Sequence, residues 1–447
     1  MKSKISHLLS KFLNVIRSHP IDWIIGTILF FQIFIIPEWA IDYPEISKAN
    51  IILIVILLVE YLIYKIVLFF KKNPGFVASE SPGLVKTSGS IIAIIIGLLF
   101  GLILMIIVNP AQALDGFAII LQGGFNRGLL SLGDMIFYSV PVILTGLSVA
   151  FAFRTGLFNI GATGQLTVGA YVAVFIGIRW GFLGEIHPLL HWFVAMTGAM
   201  LMGGFWGLIP GLLKAYRNVN EVVSSIMLNY IAMFSVTLWI KNNIFNQTYS
   251  RALDIVSTSI TPRFNLQYLF PGSIITGSIV IAIVVAIILH ILLNRTTFGF
   301  ELKAVGFNQD ASRYAGINSK RNIAISMAIS GAIAGLAGAM IFLRMGKHMK
   351  PENILLAEGF TGIAISLLGF SNPFGVIAAG LFYGSLQQGG YYLQLLTFKP
   401  EIIDIIIAVI IYSSALSLAL QKFALKFLKL RRRRKQPLDD AKAGDRK

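Results

Sequence analysis

Few side chains in this 447-residue chain are placed for covalent chemistry. There is no cysteine, which excludes disulfides, thiolate metal sites, cysteine nucleophiles and lipoprotein acylation. His187 and His191 stand four apart, a spacing usable for a metal ion. Pro188 lies between them and no Glu-x-x-His frame surrounds them, so they read as a contact between a loop and a helix. Glu60 sits among apolar residues, with Tyr64 and Lys65 one turn on. An acid in that setting points either to proton coupling or to a helix contact. Asp404 reads as interfacial. No Gly-x-x-x-x-Gly-Lys-Ser/Thr loop is present to cradle nucleotide phosphates. The remaining candidates are neutral, and two glycine-rich stretches gather them. Gly156-Leu-Phe-Asn-Ile-Gly-Ala-Thr-Gly-Gln165 holds Phe158, Asn159, Thr163 and Gln165; Glu358-Gly-Phe-Thr-Gly-Ile-Ala-Ile-Ser-Leu-Leu-Gly-Phe-Ser-Asn-Pro373 holds Phe360 and Thr361. The two phenylalanines could stack on a flat or ring-shaped solute. The amides and hydroxyls could supply neutral hydrogen bonds. No embedded acid or base stands out in either stretch, which argues for a neutral substrate.

Composition dictates what must hold these residues in place. Hydrophobic residues make up 56% of the chain and charged residues only 13%, against about 25% in an ordinary soluble domain. So few charges could not cover a soluble protein of this size. A lipid-facing exterior removes the problem. The basic N-terminus and the apolar run after it resemble a signal peptide, but no small-x-small cleavage site follows, and the run reads as a first span. Twelve apolar segments can be marked: Ile21–Ile36, Ile51–Phe70, Ile91–Val108, Met135–Phe153, Ile160–Ile178, Trp192–Leu213, Val222–Ile240, Ser273–Leu293, Ile323–Leu343, Ala357–Phe370, Phe374–Leu396 and Ile402–Leu420. Most are long enough to cross about 30 Å of hydrocarbon as helix, and too evenly apolar for barrel strands. The expected fold is an all-α polytopic membrane protein of about ten to twelve transmembrane helices. It divides into an N-terminal extension (1–134), a core (135–420) and a basic tail (421–447).

The formal net charge of +17 could mean nucleic acid. The charges, however, lie between apolar runs and at the C-terminus, where they fit topology signals and anionic lipid. If every segment crosses and the N-terminus is cytoplasmic, that side receives more than twice as many lysines and arginines as the other. The C-terminus is then cytoplasmic too, and the run Leu430–Lys435 reads as a headgroup anchor.

The two glycine-rich stretches occupy the fifth and tenth segments. An offset of five crossings turns the second copy upside down relative to the first, as in an inverted repeat. Paired short or interrupted segments are the sequence mark of a substrate path near the bilayer midplane. The alternative is that their small residues pack helices. Asn229, on one side of the seventh segment with Val222, Ser225 and Ile226, could line the path or bond between helices. Glu221 reads as a first-turn acid stabilised by the helix dipole, or as a contact for a partner.

The loop 294–322 joins the eighth and ninth segments. Asn308 is a good N-cap, Asp310 lies in the first turn and Gly316 is a good stop, so a two-turn helix is expected over Gln309–Ala315. Ala311, Tyr314 and Ala315 would give it a small apolar face for docking. The fuller pattern Phe-Gly-x-Glu-Leu-Lys-Ala-Val-Gly-x-Asn-x-x-Ala-x-x-x-Ala-Gly-Ile over 298–317 resembles the ATPase-coupling loop of permease subunits of ABC importers for branched-chain amino acids, simple sugars and nucleosides. Gly156–Gln165 is similar to that family's first-half signature. Asn220-Glu-Val-Val-Ser-Ser-Ile-Met-Leu-Asn-Tyr-Ile231 and Gly359–Gly369 resemble the sugar and nucleoside branch, nucleoside permeases in particular.

The resemblance spans about Met135 to Leu420. It implies a transport subunit, not an enzyme, in a bacterial plasma membrane. A second permease subunit, homologous or identical, would complete the path, and a substrate-binding lipoprotein would deliver solute. A separate ATPase chain would bind ATP and Mg and dock on Glu301, Leu302, Ala304, Val305, Gly306, Asn308, Ala311, Tyr314 and Gly316. The chain itself would bind no cofactor. The solute implied is a nucleoside, with a simple sugar such as ribose or galactose as the alternative; a stand-alone secondary transporter using Glu60 is the reading from another class.

Overall fold

The structure, a computed structural model, describes residues 82–399, 401–410 and 412–413. The first two expected spans, Glu60 and the basic tail lie outside the described residues. Two compact units emerge, one running from Ile120 to Tyr391 and the other combining the residues before and after it.

In the second of these, α1 (Pro82–Val108) starts nine residues earlier than the apolar run. Proline is favoured in the first helical turn, where its missing N–H would have no partner anyway. Gly101 of this helix lies against Ile406, and Asn109 donates to Thr397 at 2.7 Å. A short helix, α2 (Ala113–Gln122), follows.

The larger unit contains α3 (Leu129–Arg154), α4 (Ala162–Arg179), the short α5 (Phe182–Ile186), α6 (Pro188–Arg217), α7 (Glu221–Asn243), the short α8 (Leu266–Leu269), α9 (Ser278–Arg295), α10 (Thr297–Phe307), α11 (Gln309–Tyr314), α12 (Ser319–Phe342), α13 (Ala357–Leu368) and α14 (Pro373–Leu393). Among the described residues the strands are a two-residue hairpin, with Phe245 opposite Ala252 and Asn246 opposite Arg251. The all-α membrane class therefore stands. Among the described residues six helices, α3, α4, α6, α7, α9 and α12, are long and apolar enough to cross a membrane. The others are shorter than, or divided differently from, the apolar runs.

Burial separates the six. α3, α4 and α12 are mostly enclosed, whereas α7 and α9 keep apolar faces outside. Met227, Tyr230, Phe234 and Leu238 of α7, and Ile283, Ile287 and Ile291 of α9, are exposed. Such faces suit lipid, which is as apolar as they are. Between α6 and α12 the approach is so close that a Cβ on Gly203 would lie 2.7 Å from the Gly335 Cα. Small residues at such crossings let dispersion contacts replace the hydrophobic drive that lipid does not supply.

Candidate substrate path and coupling surface

The first glycine-rich stretch is a break between helices. α3 ends at Arg154 and α4 begins at Ala162. The end of α3 is a Schellman turn: Gly156 N–H donates to Phe153 at 3.1 Å, and Leu157 N–H donates to Ala152 at 3.1 Å. Gly156 has φ 72°, a left-handed value that side chains disfavour. Leu157 then dives into the core, and Phe158 folds back to stack on Phe153 with ring centroids 5.3 Å apart.

Asn159 is fully buried and spends its amide inside the protein. Its Nδ2 donates to Gln165 Oε1 at 2.8 Å and to Ser330 Oγ at 2.7 Å, and Gln165 Nε2 returns a bond at 3.0 Å. Ser148 and Ser330 exchange bonds between hydroxyls and carbonyls, so α3, α12 and the break share one buried polar network. Such networks fix one arrangement when every member is satisfied. Asn229 of α7 braces the same break from outside. Its Oδ1 accepts from Gly164 N–H at 2.8 Å and its Nδ2 donates to the Ile160 carbonyl at 3.0 Å. Bonding between segments is thus where its amide goes, the alternative that spacing left open. Thr163 stays buried with no hydrogen-bond partner for its hydroxyl, and Gly359 of α13 packs on it.

α13 is twelve residues long, shorter than a span, and the second stretch ends where expected. Its start touches α3 through Thr145 Oγ1, which donates to the Glu358 carbonyl at 2.9 Å. Phe360 is 41% exposed, and Thr361 bonds back to the Ala357 carbonyl. Phe360 and Thr361 are therefore more open than Asn159, Thr163 and Gln165. At its end, Ser371 N–H donates to the Ser366 carbonyl at 2.8 Å, and Phe370 and Ser371 take positive φ. Asn372 caps α14 by accepting from Phe374 N–H at 3.0 Å.

The loop 294–322 meets both breaks at one end of the bundle. Asn308 Oδ1 accepts from the Asp310 and Ala311 N–H groups, each at 3.0 Å, and caps α11. Gly316, φ 80°, closes it in a second Schellman turn. The helix falls over the expected residues to within one. α10, just before it, was not expected. Its signals were Thr296, which accepts from Gly299 N–H as a cap, and Phe298, Leu302 and Val305 at helical spacing. Leu302 and Val305 are buried, and Glu301 accepts from Asn322 Nδ2 at 2.9 Å. Gly306 lies on the elbow itself: a Cβ there would sit 2.7 Å from the Arg154 carbonyl oxygen and 2.9 Å from Gly156 N. Arg154 in turn donates from Nε to the Ser371 carbonyl at 3.0 Å, which ties the elbow to the end of α13. Pointing the other way, Phe307 and Tyr314 are 90% and 96% exposed, and Ala311 is exposed beside them. Ala304 is half-buried.

The remaining candidates have structural partners. His187 caps α6 through Nδ1, and His191 bonds Thr258 Oγ1 at 2.8 Å and the Ile176 carbonyl at 3.0 Å. Glu221 pairs with Lys214 at 3.0 Å. No group of three metal-ligating side chains occurs among the described residues.

Residues 131–415 match the family of branched-chain amino acid transport system permease components. The chain belongs to that family. The guanosine ABC transporter permease protein NupP of Bacillus subtilis is 40% identical over 333 residues, 74% of this chain and 93% of its own. The nucleoside ABC transporter permease protein NupB of Lactococcus lactis is 34% identical over 338 residues, 74% of this chain and 91% of its own. The glucose ABC transporter permease protein TsgB13 of Haloferax volcanii is 29% identical over 291 residues, 63% of this chain and 74% of its own. No solved structure matches the chain. Family membership and the six spans make this a multi-pass membrane permease component.

Proposed function

We propose that the chain carries nucleosides across the bacterial plasma membrane as the permease subunit of an ATP-driven importer. The observation that carries this reading is the seating of α10 on the elbow at Gly156. A partner that grips the exposed Phe307, Ala311 and Tyr314 would move α10 as a unit, because Leu302 and Val305 are buried beneath it. That movement would reach the first break through Gly306 and the second through Arg154 and Ser371. The partner is an ATPase chain, which supplies ATP, Mg and the phosphate cradle. A second permease subunit completes the path and a substrate-binding lipoprotein loads it. The coupling surface and both termini face the cytoplasm.

Phe158, Phe360 and Thr361 meet the solute, while Asn159, Gln165 and Asn229 hold the break in shape and Thr163 lies beneath Gly359 at its edge. Nucleosides are preferred to sugars because, of four relatives with nucleoside or guanosine in their names (40%, 34%, 28% and 27% identical), two stand above the glucose relative at 29% and are matched over more of their length. The deciding experiment is uptake of radiolabelled guanosine and uridine by cells expressing the whole importer, with excess ribose or unlabelled nucleoside as competitor. ATP-dependent entry blocked by nucleosides alone is expected. Entry of ribose with no entry of nucleosides would overturn the substrate.

A further inference from the structure

α6 and α12 run antiparallel, and their contacts follow one line. A Cβ on Gly203 would lie 2.7 Å from the Gly335 Cα, one on Gly207 3.0 Å from the Gly331 Cα, and one on Gly211 3.2 Å from the Ala324 Cα. The last turn of α6 therefore ends beside the first turn of α12, at the end of the bundle that carries α10 and α11. Lys320 Nζ there sits 5.3 Å from the centroid of the Tyr216 ring, a cation–π contact between the two helices.

This corner is basic and open. Arg217, Lys320 and Arg321 are exposed, and none has an ion-pair partner among the described residues. The carboxylates of the same end are engaged elsewhere. Glu221 pairs with Lys214 at 3.0 Å, Glu301 accepts from Asn322, and Asp310 lies 3.7 Å from Arg313. Three unanswered cations on two adjoining helix turns raise a positive potential that attracts an anion. Tyr216 adds a surface of another kind. It is exposed, and it continues a stripe of exposed apolar residues on α6, Leu201, Phe205 and Leu212. Steps of four, seven and four residues keep these side chains on one helical face. α6 has thirty residues and is about 45 Å long, against about 30 Å of hydrocarbon. Its charged last turn thus stands in the headgroup layer while the stripe faces the acyl chains. A free anion would use the cations and leave the stripe bare. A phospholipid whose headgroup carries a net negative charge uses both.

We infer that the rim where α6 ends and α12 begins is a binding site for an anionic phospholipid. The phosphate lies among Arg217, Lys320 and Arg321, and an acyl chain runs along Leu212 and Phe205. The Tyr216 ring steadies the Lys320 ammonium at the headgroup. The site needs α6 and α12 to span the membrane and is independent of which solute the protein carries.

The test is native mass spectrometry of the full chain in detergent, titrated with an equal mixture of phosphatidylglycerol and phosphatidylcholine. Saturable retention of phosphatidylglycerol over phosphatidylcholine is expected. Lys320→Gln and Arg217→Gln should each weaken it about fivefold, the worth of one cation beside an anionic headgroup. Lys347→Gln removes an exposed cation in the loop beyond the far end of α12 and should change nothing. Each variant is first checked by its melting temperature, so that only folded protein is compared. Retention of the two lipids in equal amounts, or a loss in Lys347→Gln as large as in Lys320→Gln, would overturn the site. Millimolar glycerol phosphate, a headgroup without chains, should fail to displace the lipid; full displacement would mark a site for free anions and overturn the lipid assignment. Retention of the ATPase chain is read on the same variants and should be unchanged. Loss of the ATPase with lipid retained would give this corner to the protein partner instead.

Discussion

Gly156 and Gly306 meet backbone to backbone, 150 residues apart in sequence. A Cβ on Gly156 would lie 3.0 Å from the Gly306 carbonyl oxygen, and one on Gly306 would lie 2.8 Å from the Thr155 carbonyl carbon. Neither has room for a side chain, because backbone cannot move aside as a side-chain tip can. The contact joins the helix that offers an exposed apolar face to the elbow that opens the first break.

Alanine at Gly306 should therefore push α10 off the elbow. Uptake is expected to fall at least tenfold while membrane insertion stays near wild type. The check is transport normalised to the amount of protein in isolated membranes. Gly156→Ala adds a left-handed alanine, at about 1–2 kcal/mol, to the same clash, and should lower the melting temperature as well.

Tyr314 is almost wholly exposed and supports nothing inside the protein. Tyr314→Glu or Ala311→Glu should leave the fold unchanged and abolish retention of the ATPase chain, because each puts a charge into an apolar docking face. Co-purification of the ATPase with tagged permease reads this directly. Unchanged retention would remove α11 from the coupling surface.

Asn308→Ala removes the cap that accepts from two N–H groups of α11. The helix should lose about 1 kcal/mol. Amide exchange over 309–315 is expected to quicken several-fold, with milder loss of uptake than the Tyr314→Glu variant.

Asn159→Ala takes donor and acceptor from Gln165 and a donor from Ser330 in a site closed to solvent. The expected cost is about 1–3 kcal/mol of stability, read as a lower melting temperature in detergent. Phe158→Ala and Phe360→Ala should behave differently, with uptake reduced more than expression. An equal fall in both quantities would mark the two rings as packing residues.

Much of this protein was legible in the sequence because the signals are local. Helix length and apolarity follow from the thickness of hydrocarbon, so α3, α4, α6, α7, α9 and α12 stand close to the marked runs. The cap at Asn308 and the stop at Gly316 act within a few residues of themselves, and α11 lies between them. The glycine spacing of 156–165 foretold a break, since a continuous helix there would have been weak. Pairings between distant segments left no such trace. That Asn159 finds Ser330 and that Gly306 finds Gly156 are settled only when helices pack. A side chain's partner depends on which faces meet across the bundle, and helical periodicity says which face is apolar without saying which neighbour covers it.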